Sequence, residues 1–304
     1  MKKFILVGGM PRSGTTLIET ILGSHSKISI PPGDFPFARL YIQGLSVEKI
    51  FAAMSKRGPW NQWHLKDFSS LFGMEHAQAF RESMIRYAES IHKDIPAAKA
   101  PYTEFYYDIY KGWLVDFEVK FVHIVRNPFD VMASLKHSQY HKQMRMFRDA
   151  ISLQAKNWNR STSMGLARGL LDPENYHLIK YETFVEDPIA SGQKICSFLG
   201  VNFEEERMLN RADYSYHDTN TSFSGKESRN VEKNGYIYRP ESRKSYLDTG
   251  EKKLISDQCG EIAKSLGYDD HEFRFFPPFE LEKMKPAVRL KKKVNRIFKR
   301  ILNK

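Results

Sequence analysis

The residues best suited to chemistry lie near the start of the chain: Gly8-Gly9-Met10-Pro11-Arg12-Ser13-Gly14-Thr15-Thr16-Leu17. They follow an apolar run, Phe4-Ile5-Leu6-Val7, and lead into a helical pattern from Leu17 to Leu22. A glycine-rich turn between strand and helix points several backbone N–H groups one way. The helix start adds the positive end of its dipole. Together these form a cradle for a phosphate-like anion, to which Arg12 adds a planar, permanently charged fork. The spacing from Gly9 to Gly14 matches the G-x-x-x-x-G-K-[ST] loop of nucleotide-hydrolysing proteins, but Thr15 stands at the lysine position. That lysine reaches the β- and γ-phosphates of a triphosphate. A nucleotide with a single 5′ anionic group therefore suits this loop better than ATP or GTP.

Two further segments add polar groups at strand ends. In Val119-Lys120-Phe121-Val122-His123-Ile124-Val125-Arg126-Asn127-Pro128 the first seven residues read as a buried parallel strand. Asn127 is a good N-cap and Pro128 suits a first helical position. Arg126 then sits at the carboxyl end of a strand, the edge where open α/β sheets bind ligands. Ser134 follows two turns into the helix. Taken alone, Arg126 reads as a solvated strand-end charge and Ser134 as an ordinary helix serine. The third segment runs from Leu178-Ile179-Lys180-Tyr181-Glu182 through Asp187-Pro188 into a helix ending near Gly200.

On these three segments the chain resembles the sulfotransferases that use 3′-phosphoadenosine 5′-phosphosulfate (PAPS), above all the bacterial and tyrosylprotein members. Pro11-Arg12-Ser13-Gly14-Thr15-Thr16 resembles the family's 5′-phosphosulfate loop. Arg126 and Ser134, eight residues apart, resemble its 3′-phosphate pair, and Tyr181-Glu182 its scaffold. The resemblance implies PAPS as donor, 3′-phosphoadenosine 5′-phosphate (PAP) as product, and no metal. It also implies that Lys226 and Arg229, in the polar stretch 213–243, touch the 3′-phosphate.

Sulfuryl transfer holds donor and acceptor oxygens in line, as phosphoryl transfer does. It needs positive charge on the leaving phosphate and a base for the acceptor proton. Arg12 and the loop amides suit the first task. For the second, Asp34 follows the expected second strand in Ile30-Pro31-Pro32-Gly33-Asp34-Phe35. The resembled enzymes place a glutamate in that loop; the alternative role for Asp34 is a cap on the Phe35 segment. His64 and Glu104 stand in reserve. Lys99, in Ala98-Lys99-Ala100-Pro101, resembles the family's Lys-x-Pro element and would bridge sulfuryl group and acceptor; otherwise it is a solvated strand-end lysine.

The elements that must carry these groups alternate. Strands are predicted at 4–7, 28–30, 95–99, 119–125 and from 178, with helices near 47–54, 75–92, 103–114, 145–168 and 249–266. That alternation implies a P-loop-type parallel sheet flanked by helices on both faces. Residues 1–284 are expected to form one sulfotransferase domain and residues 285–304 a basic amphipathic tail. The two cysteines, Cys196 and Cys259, fall in helical patterns and fit buried thiols better than a disulfide framework.

Net charge is +11, from 47 basic and 36 acidic residues. The tail holds nine basic residues and no acid, so 11 minus 9 leaves +2 for the body. A near-neutral body argues against nucleic-acid binding. The tail's apolar residues recur at helical spacing and suit either an anionic membrane surface or packing on the body. No run reaches the roughly 18 apolar residues of a membrane span, and an apolar strand already begins at Phe4. A bacterial, cytoplasmic enzyme is expected, touching the inner membrane face through 286–304. A glycan or lipid-linked glycan is the expected hydroxyl acceptor. The alternatives are a P-loop nucleotide kinase or NTPase, and a non-catalytic membrane-surface binding protein.

Overall fold

The computed structural model describes residues 2–55, 68–137, 151–210 and 246–268. His64, Lys226, Arg229 and the tail lie outside the described residues. Five strands, β1 (Lys2–Gly8), β2 (Ile28–Ser29), β3 (Ile95–Lys99), β4 (Phe117–Val125) and β5 (Tyr176–Lys180), form one sheet in the order β2-β3-β1-β4-β5. Every pairing is parallel. The register sets Val7 beside Lys99, Gly8 beside His123 and Val125 beside Lys180. The residues that follow these positions therefore share one sheet edge.

Period-2 alternation explains the two cores. Phe4 and Leu6 of β1, with Val119 and Phe121 of β4, face one cluster; Ile5 and Val7, with Val122 and Ile124, face the other. The first cluster is closed by α2 (Phe37–Ile42), α3 (Val47–Ser55), α4 (His76–Ser90) and α5 (Tyr107–Trp113). The second is closed by α1 (Thr15–Ser24), α8 (Tyr181–Glu186), α9 (Pro188–Leu199) and α10 (Glu205–Asn210). A third cluster joins α6 (Pro128–His137), α7 (Ile151–Leu171) and α11 (Thr249–Ser265) around Trp158 and Met132. Cys196 and Cys259 are buried free thiols, as expected.

Two expectations need adjustment. The helix expected over 103–114 is broken into a 3-10 turn, Thr103–Tyr106, and α5; the break falls at Tyr106, whose φ −112° and ψ 10° are not helical. The helix start expected at Leu17 comes two residues earlier, at Thr15.

Candidate active site

The loop after β1 is built where side chains do not fit. A Cβ on Gly9 would lie 2.3 Å from Ile124 O, and Gly9 has φ 137°. Gly14 has φ 106°, and a Cβ there would lie 2.7 Å from the Tyr181 ring. Arg12 also occupies the left-handed region, at φ 73°. A non-glycine residue holds that conformation at a cost of about 1–3 kcal/mol, and such strain clusters at functional sites. Among the described residues no side chain caps α1, as none caps α2, α4, α5 or α8. N–H groups at such a helix start suit an anionic ligand.

Three polar groups converge beside that helix start. Arg12 Nε donates to Ser134 Oγ at 3.0 Å, and Arg126 Nη1 donates to Arg12 O at 3.4 Å. Pro11, Ser13 and Thr15 are buried under them, with Gly14 and Thr16 half-buried at the rim. The Arg126 guanidinium lies over the Tyr181 ring at 4.4 Å. Trp158 Nε1 donates to Arg126 O at 2.8 Å, fixing the backbone behind it. Glu182 accepts from Asn127 N at 2.8 Å and from the Tyr268 hydroxyl at 3.1 Å. The Tyr-Glu pair is therefore scaffold, as read from the sequence: one residue supports Arg126, the other the backbone after it. Among the described residues, Ser13 Oγ and Arg126 Nε are buried without a hydrogen-bond partner. Buried polar atoms are seldom left so, and an anionic ligand would supply the missing acceptors.

A second polar cluster lies across the sheet edge. Phe35 N donates to Lys99 O at 2.7 Å, which ties the Pro-Pro-Gly-Asp turn to β3. Lys99 Nζ stands 2.7 Å from Asp34 Oδ1 and 2.6 Å from Glu19 Oε2. Lys99 is buried and not a solvated strand-end charge. Asp34 meets the ammonium and does not cap α2, whose N-cap is Pro36. Glu19 escaped the sequence reading. Its signal was a lone acid inside the apolar run Leu17-Ile18-Glu19-Thr20-Ile21-Leu22. Glu19 Oε1 also accepts from Gly33 N at 2.7 Å. Burial pushes its carboxyl up to about 7, against the pull of Lys99 and Gly33.

Glu104 sits behind the loop and not at its mouth. It is fully buried, accepts from Gly9 N at 2.9 Å, and its other oxygen accepts from the Ser161 hydroxyl. His123 Nδ1 lies 2.7 Å from the Tyr176 hydroxyl. Burial lifts Glu104 to about 7 and drops His123 to about 3, so the histidine is neutral. Glu104 thus anchors the loop from below, which corrects its standing as a reserve base.

Comparison with known proteins agrees with this geometry. A family model described as the sulfotransferase family matches residues 5–205. The sulfotransferase domain of the Synechococcus PCC 7002 olefin synthase has a similar fold, with a TM-score of 0.57, 17% identity, 88% of this chain covered and 97% of that one. A sulfotransferase domain from the curacin biosynthetic pathway gives a TM-score of 0.50 at 19% identity, covering 88% of this chain and 99% of that one. An uncharacterized protein of Aquifex aeolicus (strain VF5) is 64% identical over 36 residues, 12% of this chain and 5% of that protein's length. Among the described residues no helix is long and apolar enough to cross a membrane. The match of the family model over most of the chain, on the segments that build the loop, the arginine cluster and the Tyr-Glu scaffold, shows that the chain belongs to the sulfotransferase family.

Proposed function

We propose that this sulfotransferase takes its sulfuryl group from PAPS and delivers it to a hydroxyl of a glycan or lipid-linked glycan. The observation that carries the donor is the convergence of Arg12, Arg126 and Ser134 on an uncapped helix start, with Ser13 Oγ and Arg126 Nε left without acceptors. PAPS brings an activated sulfuryl group on a phosphate leaving group. Arg126 and Ser134 hold the 3′-phosphate and set the donor's register; Lys226 and Arg229 add to it by their resemblance to the family's late loop. Arg12, with the N–H groups of Gly14, Thr15 and Thr16, takes up charge on the 5′-phosphate as it leaves.

Asp34 accepts the acceptor hydroxyl's proton. Its side chain is 44% exposed, so a substrate hydroxyl has access to it. As that proton leaves, the acceptor oxygen bonds to sulfur. The bond from sulfur to the phosphate oxygen breaks, and its electron pair stays on PAP. Lys99 steadies the charge between sulfuryl group and acceptor. The acceptor class rests on the half-buried rings of Tyr102, Phe105 and Tyr106 just past Lys99; the first two stack at 5.7 Å, a surface suited to a sugar ring. Radiolabelled PAPS supplied to the enzyme with extracts of its source cells should label glycan or glycolipid, and Asp34→Asn should remove the label. Label on peptide tyrosine, or none, refutes the acceptor assignment. The segment 286–304 is proposed from its charge pattern alone to contact anionic membrane, and vesicle binding that survives its removal refutes that.

A further inference from the structure

The reaction as written leaves one buried acid unused. Glu19 projects from α1, the helix that begins at the donor loop, and its side chain is 0% exposed. Such burial is tolerated when charge is matched and hydrogen bonds are filled. Glu19 has both, from Lys99 Nζ at 2.6 Å and Gly33 N at 2.7 Å. Asp34 Oδ1 meets the same ammonium at 2.7 Å. One lysine, itself 2% exposed, thus serves two carboxyl groups that differ in access: Glu19 is sealed inside and Asp34 opens to the substrate side.

We propose that Glu19 is a positioning residue for sulfuryl transfer: from the buried side it holds the Lys99 ammonium and the Gly33 amide, so that Lys99 and the turn that carries Asp34 keep their places at the mouth of the site. The role rests on the assignment of Asp34 as proton acceptor. Two linkages follow from the geometry. The Gly33 hydrogen bond fixes the turn that carries Asp34, and it does so from the donor-loop helix, so donor and base are set by one element. The Glu19 carboxylate also holds the Lys99 ammonium from the buried side, where it meets Asp34. The groups facing this cluster are Lys99 from β3, Asp34 from the turn after β2, and the buried Tyr87 phenol from α4, whose ionisation Glu19 opposes.

Glu19→Gln retains an acceptor for Gly33 and removes the charge. Of the two carboxylates that meet Lys99, only the exposed one then remains, and the ammonium is no longer held from the buried side. With PAPS as donor, kcat should fall roughly ten- to hundredfold, while KM for PAPS stays within about twofold. The same substitution placed in Lys99→Met should cost less than about threefold, because Glu19 then has no ammonium through which to act. That background also guards against loss of fold, since removing both partners leaves no uncompensated buried charge. Equal losses in the two backgrounds, or a KM for PAPS that rises as far as kcat falls, would overturn the role. A wild-type enzyme that transfers nothing from PAPS defeats the reaction itself and this role with it. An active wild type with additive losses defeats the role of Glu19 alone.

Discussion

Replacing Glu104 with glutamine should stabilise the protein, and increasingly so as pH rises. The carboxyl is fully buried and tied to Gly9 N and Ser161. Burial raises it from 4.5 to about 7. Because the folded-state value lies above the unfolded one, the folded chain binds the extra proton between those two values. Stability from this group is therefore full below about 4.5 and lost as pH rises through about 7. The gap between the two values corresponds to about 3 kcal/mol above pH 7, about 2 at pH 6 and about 1 at pH 5. Glutamine keeps an acceptor for Gly9 N and offers its amide to Ser161 Oγ, so the geometry survives while the titration disappears. Urea unfolding at pH 5, 6, 7 and 8 is the assay. The Glu104→Gln curve should separate progressively from wild type, with a maximum near 3 kcal/mol. Curves that stay parallel across this range would refute the reasoning, because they would mean that the carboxyl titrates alike in folded and unfolded chains. Glu19 shares the raised value, but Glu19→Gln leaves Lys99 half-paired in the core and should destabilise the fold instead.

Four other substitutions follow from the same geometry. Arg126→Ala should weaken PAPS by about 1.5–3 kcal/mol more than adenosine 5′-phosphosulfate, which lacks the 3′-phosphate; calorimetry on the two ligands reads the difference, and equal weakening removes Arg126 from that contact. Asp34→Asn should lower kcat by roughly 10²–10⁴ with little change in PAPS affinity, whereas Arg12→Ala should damage both; steady-state kinetics and direct binding separate the two patterns. Gly14→Ala forces a Cβ against Tyr181 and Ile124 at φ 106°, so it should cost on the order of 1–3 kcal/mol of stability and loosen PAPS; an unchanged melting temperature would show that the loop tolerates the side chain.

The sheet and the loop after β1 were legible because their signals are local. Alternation in Phe4-Ile5-Leu6-Val7 gives a strand buried on two faces, and Gly9 and Gly14 mark positions that only glycine fits. Asn127-Pro128 announces a helix start and so places Arg126 at the sheet edge. What escaped depends on pairing between distant segments. Glu19 is a lone acid in an apolar run, and only the parallel register of β1 with β3 brings Lys99 to it. Glu104 reads from the sequence as a reserve base, whereas its carboxyl accepts from Gly9 N, 95 residues away, and no local pattern signals that contact. The Trp158 contact to Arg126 O spans 32 residues, and no pattern in either segment signals it.

The central claim is that the loop, Arg126 and Ser134 together hold a nucleotide carrying one 5′ anion and a 3′-phosphate. Isothermal titration of the wild-type protein with PAP, AMP and ATP with Mg²⁺ tests it most directly. The 3′-phosphate should be worth about 1.5–3 kcal/mol, so PAP should bind at least about tenfold more tightly than AMP, and ATP with Mg²⁺ should bind no better than AMP. Equal affinity for PAP and AMP, or tighter binding of ATP with Mg²⁺, would contradict it.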